Sequence, residues 1–257
     1  MNIAIITPTN HFNDSLSRTI KSLSNQTQAE WDWFLINDSG NLYKNINVSE
    51  HTSNFLDNDP RVHLFDNQYG SNAGCARNFG LDKVIKRFSS CFIFFIDSGD
   101  EWNSSFIEDS INYFKSHDVN IISSGYEMQW PSGKKKYISR IGISNYHDML
   151  KNYSTSCLST ALKISDTKLL SKIRFGKTKR VNDQPFFLDA VKHFGKVVHL
   201  PKINATYHVG HASSLSGKKF YTAIGKWRVL QEQEISIFFR LYYFFWYIAR
   251  GILRYYF

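Results

Sequence analysis

The chain opens by switching between two periods. Short apolar runs, "IAIIT" (3–7), "WFLIN" (33–37), "VHLFD" (62–66) and "CFIFFID" (91–97), each end at turn-forming residues. Between them the spacing turns helical. In "DSLSRTIKSL", Leu16, Ile20 and Leu23 fall at i, i+4 and i+7, with Asp14 placed as N-cap, and "NAGCARNFGLDKVIKRF" (72–88) reads as a helix entered through a glycine-containing loop. Pro8 is expected to cut off the first strand. Such alternation predicts βαβ units and an α/β fold with a mostly parallel sheet flanked by helices.

The pattern then changes. "NIISSGYEMQW" and "KKKYISRIGI" are strand-like on either side of Pro131-Ser132-Gly133, a hairpin-type connection. "LSTALKI" (158–164) predicts another strand, "DQPFFLDAVKHF" (183–194) a helix, and "KVVHL" and "INATYHV" two short strands. The expected organisation is one domain over 1–215, with halves 1–102 and 103–215, followed by a helical tail over 216–257.

Composition adds limits. Apolar residues make up 42% of 257, so a sizeable core can form and global disorder is excluded. Three widely spaced cysteines match neither a zinc nor a disulfide pattern, which suits a reducing compartment. Residues 1–9 lack the features of a signal peptide, and a cytoplasmic location is expected. The formal net charge of +9 points to an anionic partner. Nucleic acid is not the expected one, because no basic stripe interleaved with stacking aromatics runs through residues 1–215.

The candidate chemistry lies at the strand ends. The first strand runs into Thr7, Pro8 and Thr9, the second into Asp38, and the fourth into Asp97, Ser98, Gly99 and Asp100. In a parallel sheet these ends share one edge, where open α/β sheets bind ligands. Hydroxyls, a lone acid and an acid pair there suit a nucleoside diphosphate with a divalent metal. Each feature is also ordinary turn chemistry.

In "IAIITPTN", "SLSNQT", "WFLINDSG", "YGSNAGCARNFGL" and "FIFFIDSGDEW", taken in order over residues 3–102, the chain resembles the inverting GT-A-fold glycosyltransferases of family 2, many of which build bacterial surface polysaccharides. A weaker echo is "RVNDQPFFLDAV" (180–191). The resemblance implies that Thr7, Pro8 and Thr9 line a nucleotide pocket and that Asp38 meets the base, commonly uracil. It implies Arg77 against the base or diphosphate, Asn72 and Ser98 in the adjoining loops, and Asp97 near the ribose or a metal-bound water. Asp100 is then the ligand of Mn²⁺ or Mg²⁺, with His208 or His211 as further candidates. Gly99 departs from the family's usual Asp-x-Asp-Asp. Asp183 matches the general base that deprotonates the acceptor hydroxyl, although Asp is also a good N-cap.

The tail carries its own signal. Its last 21 residues hold 11 Phe, Tyr or Trp, so they form a separate compositional zone. A helical wheel puts Ser236, Arg240, Tyr243, Tyr247, Arg250 and Arg254 on one face and Phe238, Leu241, Phe245, Ile248 and Ile252 on the other. A basic, aromatic helix over 237–257 suits an anionic membrane surface, peripheral on the inner face of a bacterial plasma membrane. Packing on the domain or on a partner subunit is the other reading. The expected activity is transfer of a sugar, from a UDP-sugar donor, to a saccharide acceptor carried on lipid. The alternative is a non-catalytic nucleotide-sugar or glycan-binding subunit.

Overall fold

The computed structural model describes residues 1–43, 49–176, 178, 181–209 and 219–256, leaving aside the side chains of 51, 219–221 and 252–256. His211 lies outside the described residues. Four parallel strands form the first half of the sheet: β1 (Ile3–Thr9), β2 (Asp32–Asn37), β3 (Val62–Asp66) and β4 (Cys91–Phe95). The helices of this half are α1 (Asp14–Ser24), α2 (Glu50–Asn58) and α3 (Ala73–Arg87). Next come β5 (Glu101–Trp102), α4 (Phe106–Ser116), β6 (Ile121–Gln129), β7 (Lys135–Ile138), β8 (Gly142–Ser144), α5 (Tyr146–Lys151), β9 (Thr160–Ile164), α6 (Asp183–Phe194) and β10 (Val197–His208). Helices α7 (Lys219–Glu232) and α8 (Ile237–Tyr256) close the chain.

The sheet runs β3-β2-β1-β4-β9-β6-β10-β5, with β7 beside β6 and β8 beside β10. Strand β9 is antiparallel to both β4 and β6, and β10 is parallel to β6. Both faces are covered, which is why the early strands read as unbroken apolar runs. Ala4, Ile6, Phe34, Ile36, Ile93 and Phe95 pack toward α3 and α6. Ile3, Ile5, Trp33, Leu35, Phe94 and Ile96 pack toward α1 and α4. Each such large side chain contributes on the order of 2 kcal/mol by leaving water.

Three local expectations change. Strand β1 continues through Pro8 to Thr9. Its partner β4 is paired only as far as Ile6, so no ladder bond on that side needs the missing N–H of Pro8. The cap of α1 is Asn13, whose side chain accepts from the N–H of Ser15, and Asp14 is the first helical residue. The two predicted strands around Pro201 are one strand, β10, which absorbs the proline in a register shift between His199 and Ala205.

The tail is built into the core. Val229, Leu230 and Tyr243 join the cluster that contains Phe186 and Phe187. Arg250 is turned toward the domain, where it donates to Asn152, and Arg240 folds back within the tail, donating to the carbonyl of Ile235 over the ring of Trp227. The outward face holds Phe238, Phe239, Leu241, Phe245 and Trp246, with Phe238 82% exposed. The two described arginines therefore do not face outward as a headgroup-binding side. The Arg240 guanidinium finds a carbonyl acceptor within the tail, and that of Arg250 an amide acceptor on the domain. Among the described residues no helix is long and apolar enough to cross a membrane.

Candidate active site

The tight turn after β4 sets two carboxylates. The Asp100 N–H donates to the Asp97 carbonyl at 3.1 Å, and Gly99 has φ +102°, a value its missing side chain allows. Thr19 of α1 holds the turn from below. Its hydroxyl accepts from the Gly99 N–H at 2.9 Å and donates to the Asp100 carbonyl at 2.8 Å. Asp100 is 5% exposed, while the side chain of Asp97 is 48% exposed. One therefore sits under the surface and the other opens to it.

His208, at the end of β10, gives its backbone N–H to the Asp100 carboxylate at 3.1 Å. Its ring Nε2 lies 2.8 Å from the Glu101 carboxylate. Burial pushes Asp100 well above the usual carboxylate range. Asp97 adds to this, while the His208 N–H and Arg18 oppose it.

Arg77 ties this turn to the start of α6. It is 4% exposed; one guanidinium nitrogen donates to Asp97, and the other donates to the Asn182 side chain at 3.3 Å. The ring of Phe175 lies 5.2 Å away. The resemblance implied a residue laid against the nucleotide; the observed contacts of Arg77 are a brace between elements.

Asp183 is the first residue of α6. The loop before it is closed by the Gly176 N–H donating to the Asn182 carbonyl at 2.7 Å. Val181 within this loop has φ +58°, a left-handed conformation costly for a β-branched side chain. Asn182 makes no side-chain cap bond, and the Asp183 carboxyl group lies among Arg77, Tyr153 and Asp97. Burial raises its pKa against the pull of Arg77.

The other predicted residues are spread along the same sheet edge. Asp38 accepts from Asn67 at 2.7 Å, and burial raises its pKa against that bond. Thr7 is fully buried and accepts the Trp33 indole N–H at 2.8 Å, so its hydroxyl braces β1 against β2 and does not line an opening. Thr9 donates to the His11 carbonyl. Asn72 caps α3 through the Cys75 N–H. The Ser98 hydroxyl is buried without a hydrogen-bond partner.

Sequence reasoning missed Arg18, Tyr126 and Tyr153 as neighbours of these acids. Arg18 lies 3.9 Å from Glu101, and Tyr126 feels both Asp183 and Asp100. The sequence places Arg18 in a helix of ordinary period and the tyrosines in segments with no recurring spacing.

Among the described residues no cluster of three or more His, Cys, Asp or Glu is placed to hold a metal ion. The oxygen donors of Asp97 and Asp100 fit an ion of the Mg²⁺ or Mn²⁺ kind, which is commonly held by one or two carboxylates and completed by substrate phosphates. A buried carboxylate with a raised pKa also gains from a cation beside it.

Comparison with known proteins agrees with this arrangement. Residues 4–174 match the family described as glycosyl transferase family 2. The Escherichia coli UDP-Glc:alpha-D-GlcNAc-diphosphoundecaprenol beta-1,3-glucosyltransferase WfgD is 28% identical over 254 residues, 98% of this chain and 94% of that protein. The Staphylococcus aureus poly(ribitol-phosphate) beta-N-acetylglucosaminyltransferase TarP is 29% identical over 198 residues, 73% of this chain and 56% of its own length. The crystal structure of S. aureus TarS 1-349 in complex with UDP-GlcNAc superimposes with a TM-score of 0.65 at 17% identity, over 90% of this chain and 66% of that one. The sheet, the acid turn after β4 and the family match thus converge, and the chain is a member of glycosyl transferase family 2, a glycosyltransferase of GT-A fold.

Proposed function

We propose that this glycosyltransferase moves a sugar, with inversion, from a UDP-sugar to a saccharide acceptor carried on lipid, as a step of surface-polysaccharide synthesis. The observation that carries the reading is that Arg77 draws Asp97, from the turn after β4 that also holds Asp100, together with Asp183, from the first turn of α6. The WfgD name, with UDP-Glc as donor and a GlcNAc diphosphate lipid as acceptor, supports the choice of substrates.

In this reading residues 1–102 hold the nucleotide, with Pro8 and Thr9 at the end of β1 and Asp38 facing the base. Residues 103–215 hold the acceptor. Asp183 takes the proton from the acceptor hydroxyl as its oxygen bonds to the anomeric carbon. The bond from that carbon to the diphosphate oxygen breaks on the opposite face, and the nucleoside diphosphate leaves with the electron pair. A positioned base of this kind contributes about 10²–10⁴-fold. Asp100, assisted by Asp97, holds the divalent ion, which supplies charge neutralisation for the leaving diphosphate. Arg77 keeps Asp97 and the Asn182–Asp183 corner in fixed relation. The outward face of α8 rests on the inner leaflet of the plasma membrane, which brings the site to a lipid-borne acceptor.

The test is thermal melting with UDP, GDP, dTDP and CMP, with and without Mn²⁺. UDP at about 100 times its dissociation constant adds about 2.7 kcal/mol. The expected result is a shift with UDP that grows with Mn²⁺ and shrinks in Asp100→Asn. No shift with any nucleotide overturns the donor assignment.

A further inference from the structure

A cavity of about 490 Å³ opens between β6, β7 and the segment leading into β9. Its lining is unusual for its hydroxyls. Thr155 and Ser159 are 7% and 1% exposed, and neither hydroxyl has a hydrogen-bond partner. The Tyr153 hydroxyl lies close to Asp183 and Thr155 yet forms no hydrogen bond of regular geometry with either. A buried hydroxyl without a partner costs roughly 1–3 kcal/mol, so Thr155 and Ser159 beside one cavity mark a place where something else supplies the partners.

The charge of the lining is one-sided. Arg140 and Lys136 face the cavity, and among its described lining residues there is no Asp or Glu. Arg140 stands beside His199, where burial and the guanidinium together hold the imidazole below its ordinary pKa. The cavity also shares a wall with the site already described. Tyr153 lies between it and Asp183, and Tyr126, another lining residue, feels both Asp183 and Asp100.

We propose that this cavity is the acceptor site, and that it takes a saccharide whose anomeric end carries a phosphate or diphosphate. The ring hydroxyls and the amide or hydroxyl oxygens of the sugar meet Tyr153, Thr155 and Ser159, and the anionic group meets Arg140 and Lys136. The ring hydroxyl nearest Tyr153 is thereby presented to Asp183. The inference rests on the transferase reading and adds to it the residues that choose the acceptor.

Two probes separate sugar recognition from charge recognition: N-acetylglucosamine α-linked through a diphosphate to a short alkyl chain, and the same sugar α-linked directly to that chain. Binding is measured by calorimetry on the full chain with UDP present. In wild type the diphosphate probe binds more tightly. Arg140→Gln weakens the diphosphate probe by about tenfold or more, the loss expected for a charged hydrogen bond, and leaves the neutral probe nearly unchanged. Thr155→Val and Ser159→Ala weaken both probes together. All three variants keep the UDP-induced melting shift, which shows that they fold and that the donor side is intact. Failure of wild type to bind either probe, or an equal effect of Arg140→Gln on both, overturns the acceptor assignment. Failure of the transferase reading shows separately, as absence of the UDP shift.

Discussion

Asp183 is pulled two ways at once. Burial raises its pKa, while Arg77 and the tyrosine beside it favour the ionised form. A base works as the carboxylate, so activity is lost as pH falls through the raised pKa. The acid limb of kcat is therefore expected above the ordinary carboxylate range. Asp183→Asn lowers kcat by about 10²–10⁴ and removes that limb, while the UDP melting shift persists. A variant of undiminished kcat removes Asp183 from the mechanism. At this scale the sequence offers the acids as candidates, since Asp97, Asp100 and Asp183 each stand in a recognisable string. It could not name their partners. Arg77 reaches Asn182 across 105 positions, and Tyr153 sits in "KNYSTS", where no period or motif announces that it touches Asp183.

Helix α3 shows how an element sets the base without touching it. A Cβ built at Gly74 comes within 2.4 Å of the Gly176 carbonyl oxygen and 3.0 Å of Asn182 Cβ, so the first turn of α3 lies directly on the loop that delivers Asp183. Gly74→Ala gains up to about 1 kcal/mol in helix propensity but overpacks this contact, which typically costs about 1–3 kcal/mol. The expected net result is a lower midpoint in denaturant and a loss of transfer larger than the loss of UDP binding. Unchanged stability and transfer would mean that the loop yields without moving Asp183. The strong periods made β1 to β4, α1, α3 and α6 legible to within a few residues. Strand β10 was read as two because a proline ordinarily ends a strand, and the register shift that accommodates Pro201 depends on its neighbours β6 and β8. Helix α5 is six residues long, too short to display a period, and its capping box at Asn145 and Asp148 is visible only once the fold is known.

For the molecule as a whole the tail is the informative part. The wheel found the two faces of α8 but not which one the domain covers. That depends on acceptors such as Asn152 and on the ring of Trp227, which local periodicity does not reveal. With Arg240 folded back within the tail and Arg250 turned toward the domain, attachment to lipid is expected to come from the phenylalanines and tryptophan of the outer face. Binding to phosphatidylethanolamine–phosphatidylglycerol vesicles should then survive 0.5 M salt, a condition under which the Debye length falls to about 4 Å. Phe238→Ser with Phe245→Ser should release the protein into the supernatant in a flotation assay. Release of the wild type by salt alone would return the role to exposed basic residues.

The clasp made by Arg77 carries a consequence for how such a chain can change. One guanidinium holds Asp97 at the start of an excursion and Asn182 at its end, while residues 98–181 travel through β5 to β9 in between. The hairpin at 129–135 and the stretch around 152–159 hang from that excursion like an interchangeable cartridge. A lineage can rewrite or lengthen them, trading one substrate for another, while the machinery inherited on either side stays in register.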